Sequence, residues 1–391
     1  MNNNTNTTVS YTLRDLVIYF LKLGSWGFGG PVALAEYMHR DLVERRKWIS
    51  EEDYKEGLAL AQLAPGPLAA QLGIYIGYVH YRILGATLTG LAFVLPSFLM
   101  VVVLGFIYTK WQGIPWMQAV FYGVGAAVMG IIAMSAYKLT RKSIGSDKWL
   151  GSIYLIAAAY TVWKENEDVL LFLGAGIIYW WVKSPNKKIS FPKKRPAEII
   201  KSFSFPLLFN MFISSSGNTL WQILLFFTKA GALVFGSGLA IVPFLYGGVV
   251  KERAWLNEQQ FMDAVAVAMI TPGPVVITVA FIGFLVAGFA GACLAAFGTF
   301  FPSYVFTVLP APYFRKYGKS PGIKAFVDGV TAAAIGAISG AVIVLGRRSL
   351  IDVYTLTIAV ITVIVLLRFK KVPEPVIILT AAGIGLLLKN I

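Results

Sequence analysis

Apolar residues run through this chain in long unbroken stretches instead of alternating with polar ones. The clearest are Ala86 to Tyr108, Trp116 to Tyr137, Leu150 to Val162, Val169 to Val182, Tyr354 to Leu367 and Val376 to Leu388. Several approach the roughly 20 residues that a helix needs to cross a bilayer, and the shorter ones predict helices extended by their flanks. Other apolar segments are interrupted. Leu13 to Trp26 is broken by Gly27-Phe28-Gly29-Gly30-Pro31 before Val32 to Val43, and Tyr54 to Ala64 by Pro65-Gly66-Pro67 before Leu68 to Tyr78. These pieces, about 11 to 14 residues long, are too short to span about 30 Å of hydrocarbon alone. They predict re-entrant hairpins or broken helices, whose open backbone must be shielded by protein or face a water-filled cavity.

The pattern occurs twice. Residues 22–67 align without a gap onto 229–274, and the correspondence continues, one residue shorter, to Ser143 and Ser349. Lys22 matches Lys229, Arg46 with Trp48 matches Arg253 with Trp255, Pro65-Gly66-Pro67 matches Pro272-Gly273-Pro274, and Pro96-Ser97 matches Pro302-Ser303. Helix breakers at equivalent places in two copies of so apolar a chain point to a transporter whose substrate site lies where the copies meet. The expected fold is an all-α polytopic membrane protein built from two homologous halves, residues 1–182 and 222–391. A basic cytoplasmic linker with a short apolar segment, Phe203 to Ile213, fills 183–221.

Loop charge bears on how the halves insert. The loop from Lys110 to Trp116 has one basic residue, whereas its counterpart holds Arg315, Lys316, Lys319 and Lys324. Lys164 is outnumbered by Glu165, Glu167 and Asp168, against Arg368, Lys370 and Lys371 in the corresponding turn. Lys138, Arg141, Lys142 and Lys148 outnumber Arg347 and Arg348. Because basic loops stay cytoplasmic, all three comparisons favour inverted repeats.

Composition agrees. Of 391 residues, 57% are hydrophobic and 14% charged, with a mean hydropathy of +0.70, which excludes an ordinary soluble protein. The net charge of +15 sits in the short connections, so it reads as a positive-inside signal and not as a nucleic-acid surface. Met1 to Ser10 lacks a basic n-region and a cleavage site, so no removable signal peptide is expected. Cys293 is the single cysteine, and His39 and His80 are the two histidines, which argues against disulfides and against cysteine- or histidine-based metal sites. No Walker-type loop is present and no cofactor is called for.

Each Pro-Gly-Pro ends one helix and starts another. The amides that follow, of Leu68, Ala69 and Ala70 and of Val275, Val276 and Ile277, then sit at the positive end of a helix near mid-membrane, where anions bind. Gly29, Gly30, Gly66, Gly236, Gly273 and Ser237 permit close backbone approach. Packing alone explains such small residues about as well. Lys22 and Lys229 are intramembrane cations suited to a divalent oxyanion, with snorkelling to the interface as the plain alternative. Arg46 and Arg253, with Glu44 nearby, are candidates for an entry or gate, against a solvated loop of local ion pairs. Gln62, Gln71, Thr271 and Thr278 flank the breaks as hydrogen-bond donors. Glu36, Glu56 and Asp263 are the carboxylates near the broken segments. Glu56 and Asp263, read as one position apart in the aligned copies, are candidates for proton coupling or ordinary helix-end charges.

Phe28-Gly29-Gly30-Pro31, the stretch Leu42 to Ile49, Leu60 to Pro67 with Gln71-Leu72, and Ile76-Gly77-Tyr78 closely resemble the chromate ion transporter family, in its long two-domain form. The resemblance covers nearly the whole chain. It implies a multi-pass protein of the cell inner membrane that expels chromate and confers resistance, with sulfate as a competing oxyanion. The family motif carries over onto Gly29, Gly30, Pro31, Glu44, Arg46, Trp48, Pro65, Gly66, Pro67 and Gln71. The chain departs from it at Leu68-Ala69-Ala70, where many members place a polar or acidic residue, and at Ser237-Gly238. The expected partners are a chromate- or sulfate-like oxyanion, a coupling ion such as the proton, the bilayer and a second copy in a homodimer, with no nucleic acid. Transport or channel conduction of another small anion stays open at this point. So does a membrane-embedded enzyme acting on a lipid phosphate, although the thin supply of histidine and carboxylate counts against a general base.

Overall fold

The computed structural model describes residues 11–28, 30–111, 115–164, 169–183, 219–233, 241–317, 321–369 and 372–389. The first copy comprises α1 (Leu13–Trp26), α2 (Gly30–Met38) continuing as a π-helical stretch (His39–Arg45), α3 (Glu51–Leu63), α4 (Leu68–Trp111), α5 (Pro115–Ser143), α6 (Lys148–Lys164) and α7 (Val169–Lys183). The second comprises α8 (Thr219–Leu233), α9 (Val242–Leu245) continuing as a π-helical stretch (Tyr246–Glu252), α10 (Glu258–Ile270), a 3₁₀ turn (Val275–Ile277), α11 (Thr278–Val308), α12 (Ala311–Tyr317), α13 (Pro321–Ser349), α14 (Val353–Arg368) and α15 (Glu374–Lys389). No strand occurs among the described residues. Gly29, Gly236 and Ser237, and most of the linker with Phe203 to Ile213, lie outside them.

Local chemistry sets the helix ends. Thr12 and Asp15 cap α1 reciprocally, as Asn257 and Gln260 cap α10, while Ser50 caps α3 ahead of Glu51, Glu52 and Asp53. At the other end Ala64 and Thr271, each preceding a proline, are forced into extended geometry (φ −83° and −87°), and both helices stop there. The expected breaks at Pro65-Gly66-Pro67 and Pro272-Gly273-Pro274 are therefore real. The duplication reaches the backbone in finer detail than the sequence announced. Both π-helical stretches fall at equivalent positions, as do the left-handed residues Lys47 (φ 54°) and Ala254 (φ 47°).

Within α4 the chain reverses sharply at Arg82 (φ 52°, ψ −139°), and α11 does the same at Ala287 and Gly288. Each is thus a buried half-helix folded back on a long spanning arm. The Thr89 hydroxyl on the arm donates to Gly73 on the half-helix at 3.0 Å. Among the described residues, four stretches are long and apolar enough to cross a membrane: Leu68–Trp111, Pro115–Arg141, Val275–Phe314 and Lys324–Ser349. On the α4 arm Leu84, Leu91, Leu95, Leu99, Val103 and Phe106 form an exposed apolar stripe, the polarity expected of a surface solvated by lipid.

The two arms run antiparallel. The hydroxyls of Thr87 and Tyr304 hydrogen-bond at 2.8 Å, and the rings of Phe98 and Phe289 meet at 6.3 Å, so ascending the first arm descends the second. Equivalent elements with opposite direction are what inverted repeats require. The halves also interlock. α5 of the first copy packs chiefly on α14 and α15 of the second, and α13 of the second packs on α6 and α7 of the first. Gly123 and Gly329, equivalent to one another, let these helices approach closely: a Cβ on Gly123 would collide with the Ala381 carbonyl, and one on Gly329 would lie 2.6 Å from that of Ala175.

Candidate functional site

Where the arms cross, each Pro-Gly-Pro break meets the Pro-Ser step of the opposite copy. A Cβ built on Gly66 would fall 2.8 Å from Ser303 Oγ, and one on Gly273 would overlap Ser97 Oγ. The Gly273 amide donates to the Gly27 carbonyl at the end of α1, 2.9 Å, and the Ser97 hydroxyl donates to Gly24 at 3.3 Å. Both breaks are buried in the protein. Glycine is required at both, since φ is +144° at Gly66 and +95° at Gly273, where a side chain is strained.

Gln71 is fully buried beside the first break. Its Nε2 donates to the Pro65 carbonyl at 2.8 Å, leaving Oε1 with no hydrogen-bond partner. Leu68 and Ala69 are buried next to it. In the second copy Val276 and Thr278 are buried, Val275 is half-buried, and the Thr278 hydroxyl is occupied by the Val275 carbonyl at 2.8 Å. Thr271 likewise bonds Ala268, so neither threonine hydroxyl is a spare donor. Gln62 is exposed.

Gly30 (φ +75°) opens α2 just after the first glycine break. Lys22 and Lys229 are not drawn into the crossing. Both are exposed on the outer faces of α1 and α8, on the side away from the packed core. Arg46 stacks over Trp48 (4.6 Å) and Tyr19 (5.6 Å), and Arg253 over Phe226 (4.5 Å) and Trp255 (5.4 Å). Each arginine thus packs on its neighbouring tryptophan and on an equivalent ring of the copy's first helix. Glu44 pairs with His39 at 3.2 Å. Glu36 is exposed and Glu56 half-exposed.

A cavity of roughly 770 Å³ opens at the end of the molecule where α4 finishes. Tyr108, Gln118, Tyr122, Asn257, Gln259 and Lys389 line it, with Asp263 buried in its wall. Asp263 and Glu56 occupy the same position in the ungapped alignment, not adjacent ones. The partnership between Tyr108 and Asp263 is 155 residues apart and carries no sequence signal. No group of three or more potential metal ligands occurs among the described residues.

An all-helical bundle of two intertwined inverted halves, with helix breaks buried at their crossing and lipid-like polarity outside, defines an integral membrane transporter. The family described as Chromate transporter matches residues 14–180 and 221–386, one match per copy, and the chain belongs to that family. It is 64% identical to the chromate transport protein of Cupriavidus metallidurans over 97% of this chain and 94% of that one. It is 61% identical to a probable chromate transport protein of Synechococcus elongatus over 97% and 96%. The uncharacterized transporter YwrB of Bacillus subtilis is 26% identical over 44% of this chain and 91% of its own length. No solved structure matches the chain. Residence in the inner membrane as a multi-pass protein follows from the family and the apolar helices.

Proposed function

We propose that the protein is a secondary active transporter that exports chromate from the cytoplasm, with sulfate competing for the same site. The observation that carries the reading is the reciprocal seating of each Pro-Gly-Pro break against the serine of the opposite copy, at the crossing of antiparallel arms. The amides that open α4 after the first break suit a doubly negative solute there, as do those of Val275 and Val276 in the 3₁₀ turn after the second, where the Ile277 amide is instead taken by the Pro274 carbonyl at 2.9 Å. The unsatisfied Gln71 oxygen marks a polar point in an otherwise apolar interior. Lys22 and Lys229 serve at the approaches to the site, and Arg46 and Arg253, each held on a pair of rings, serve as gates. Residues 1–182 and 222–391 are the two transport repeats and 183–221 the cytoplasmic linker.

The end of the molecule where Tyr11, Trp48 and His80 come together carries Arg40, Arg45, Arg46 and Lys47, and by the positive-inside rule it faces the cytoplasm. The cavity at Tyr108 then opens outside. An ion gradient, with the proton as coupling ion, drives export, and the transporter works as a homodimer. Uptake of labelled chromate into inverted vesicles, with sulfate competition and imposed pH or potential gradients, tests the reading. Because both lie outside the crossing, Lys22→Gln with Lys229→Gln should slow uptake by weakening the anion's approach while leaving transport itself in place. Unchanged uptake in that double variant would remove the lysines from the approaches, and absence of chromate movement in the unaltered protein would end the reading itself.

A further inference from the structure

Asp263 stands apart from the residues assigned to the anion. It lies in the second turn of α10, only 4% exposed, and takes hydrogen bonds from Tyr108 Oη (2.7 Å) and Gln259 Nε2 (2.8 Å). Both donors are uncharged, and no cation pairs with the carboxylate among the described residues. The surroundings bear this out on every side. From α4 comes Tyr108, from α5 Tyr122, which bonds the α14 cap Asp352, and from α15 Lys389, whose ammonium lies 4.9 Å over the Tyr122 ring. On α10 itself Glu258 is engaged by Tyr246 and by Arg348 of α13. A buried carboxylate held by neutral donors alone gains much less than an ion pair would give it, so taking up a proton is a low-cost way to remove its charge.

Two further features single out the site. Tyr108 belongs to the first copy and Asp263 to the second, so their bond bridges elements that must move relative to one another in alternating access. The feature is also one-sided. In the first copy the equivalent carboxylate, Glu56, is half-exposed, and the residue equivalent to Tyr108 is Phe314, which cannot donate.

We propose that Asp263 is the proton-binding group of the transport cycle, loaded from outside through the cavity beside Tyr108. The assignment rests on the proposed export of chromate and adds to it the site and the side of proton entry. A proton adds to the carboxylate from the outer solution, neutralises it while the cavity is open, and leaves to the cytoplasm once the halves have moved. The ionised form favours the arrangement seen here because it keeps both hydrogen bonds, and the neutral form frees the bridge between the copies.

The test uses the full chain reconstituted in vesicles, with labelled chromate and an internal pH dye. Two rates are compared: accumulation driven by a pH gradient, and exchange of labelled for unlabelled chromate without a gradient. Asp263→Asn should lower the ratio of driven accumulation to exchange at least tenfold and abolish chromate-elicited proton movement, and Asp263→Glu should restore both. Tyr108→Phe, which keeps the carboxylate but removes a donor to its ionised form, should shift the pH of half-maximal driven transport upward by about one pH unit. It also serves as the test should Asp263→Asn fail to fold. An unchanged ratio in Asp263→Asn, or an unshifted profile in Tyr108→Phe, overturns the assignment while leaving chromate export standing. Chromate exchange without any proton movement in the unaltered protein overturns it as well.

Discussion

Replacing Gly273 by alanine tests the crossing of the two copies most directly. The residue sits at φ +95°, where an L side chain costs about 1–2 kcal/mol. Its new Cβ would also overlap Ser97 Oγ on the opposite copy's arm, and overpacking of that kind costs about 1–3 kcal/mol. Together these predict a loss of about 2–5 kcal/mol, which at just over about 1 °C per kcal/mol for a chain of this length lowers the thermal midpoint by roughly 2–6 °C. The assay is the fraction of monodisperse protein surviving a heating series in detergent. The control is Ser97→Gly, which removes the obstructing oxygen at the expense of its 3.3 Å bond to Gly24, itself worth about 1 kcal/mol. In the double variant the steric part disappears and the φ part stays, so the two changes should couple by about 1–2 kcal/mol. A melting point unmoved by Gly273→Ala, or strictly additive effects in the double variant, would mean that this break does not rest on Ser97.

Gly66→Ala should behave alike, since its Cβ would lie 2.6 Å from Gln71 Cδ and 2.8 Å from Ser303 Oγ; heating curves of Gly66→Ala with and without Ser303→Gly check it. Arg46→Ala and Arg253→Ala should each lower thermal stability by about 1 kcal/mol through loss of ring stacking, while lysine at either position recovers part of it. Asp147 is held below the usual carboxylate range first by Lys183 at 2.9 Å, and Asp352 by the Thr355 amide and the Tyr122 hydroxyl. Because both are lowered in the folded protein, their stabilisation is present above the ordinary aspartate value near 4 and is lost as pH falls through their lower folded values. Melting curves between pH 2 and 6 should therefore drop more steeply for the unaltered protein than for Asp147→Asn with Asp352→Asn. In a Cys293→Ser background, single cysteines at Lys110 and Lys324 should react with impermeant thiol reagents from opposite sides of the membrane; labelling from one side would refute the antiparallel arms.

The breaks and the repeat were legible because proline and glycine act locally: Ala64 and Thr271 are bent by the proline that follows, wherever they sit in space. Inversion was legible through loop charge, which also acts without tertiary context. The reversal at Arg82 was hidden, since nothing at that position in the first copy breaks a helix, and only Gly288 in the second hints at it. The placement of the lysines was hidden for a related reason. Lying within an apolar run places Lys22 and Lys229 along a helix but not around it, and rotation about the axis leaves both on the outer face. Tyr108 was invisible as a partner because its role depends on a contact between copies.

The exchange of helices between the copies has a consequence for biogenesis. When α6 and α7 leave the ribosome, α13, the helix they lean on, has not yet been synthesised, and α5 likewise waits for α14 and α15. The first half must therefore linger in the membrane unfinished, and the bundle closes only after α14 and α15 have been made. Two separately translated halves should meet and assemble, whereas either one expressed alone should be degraded.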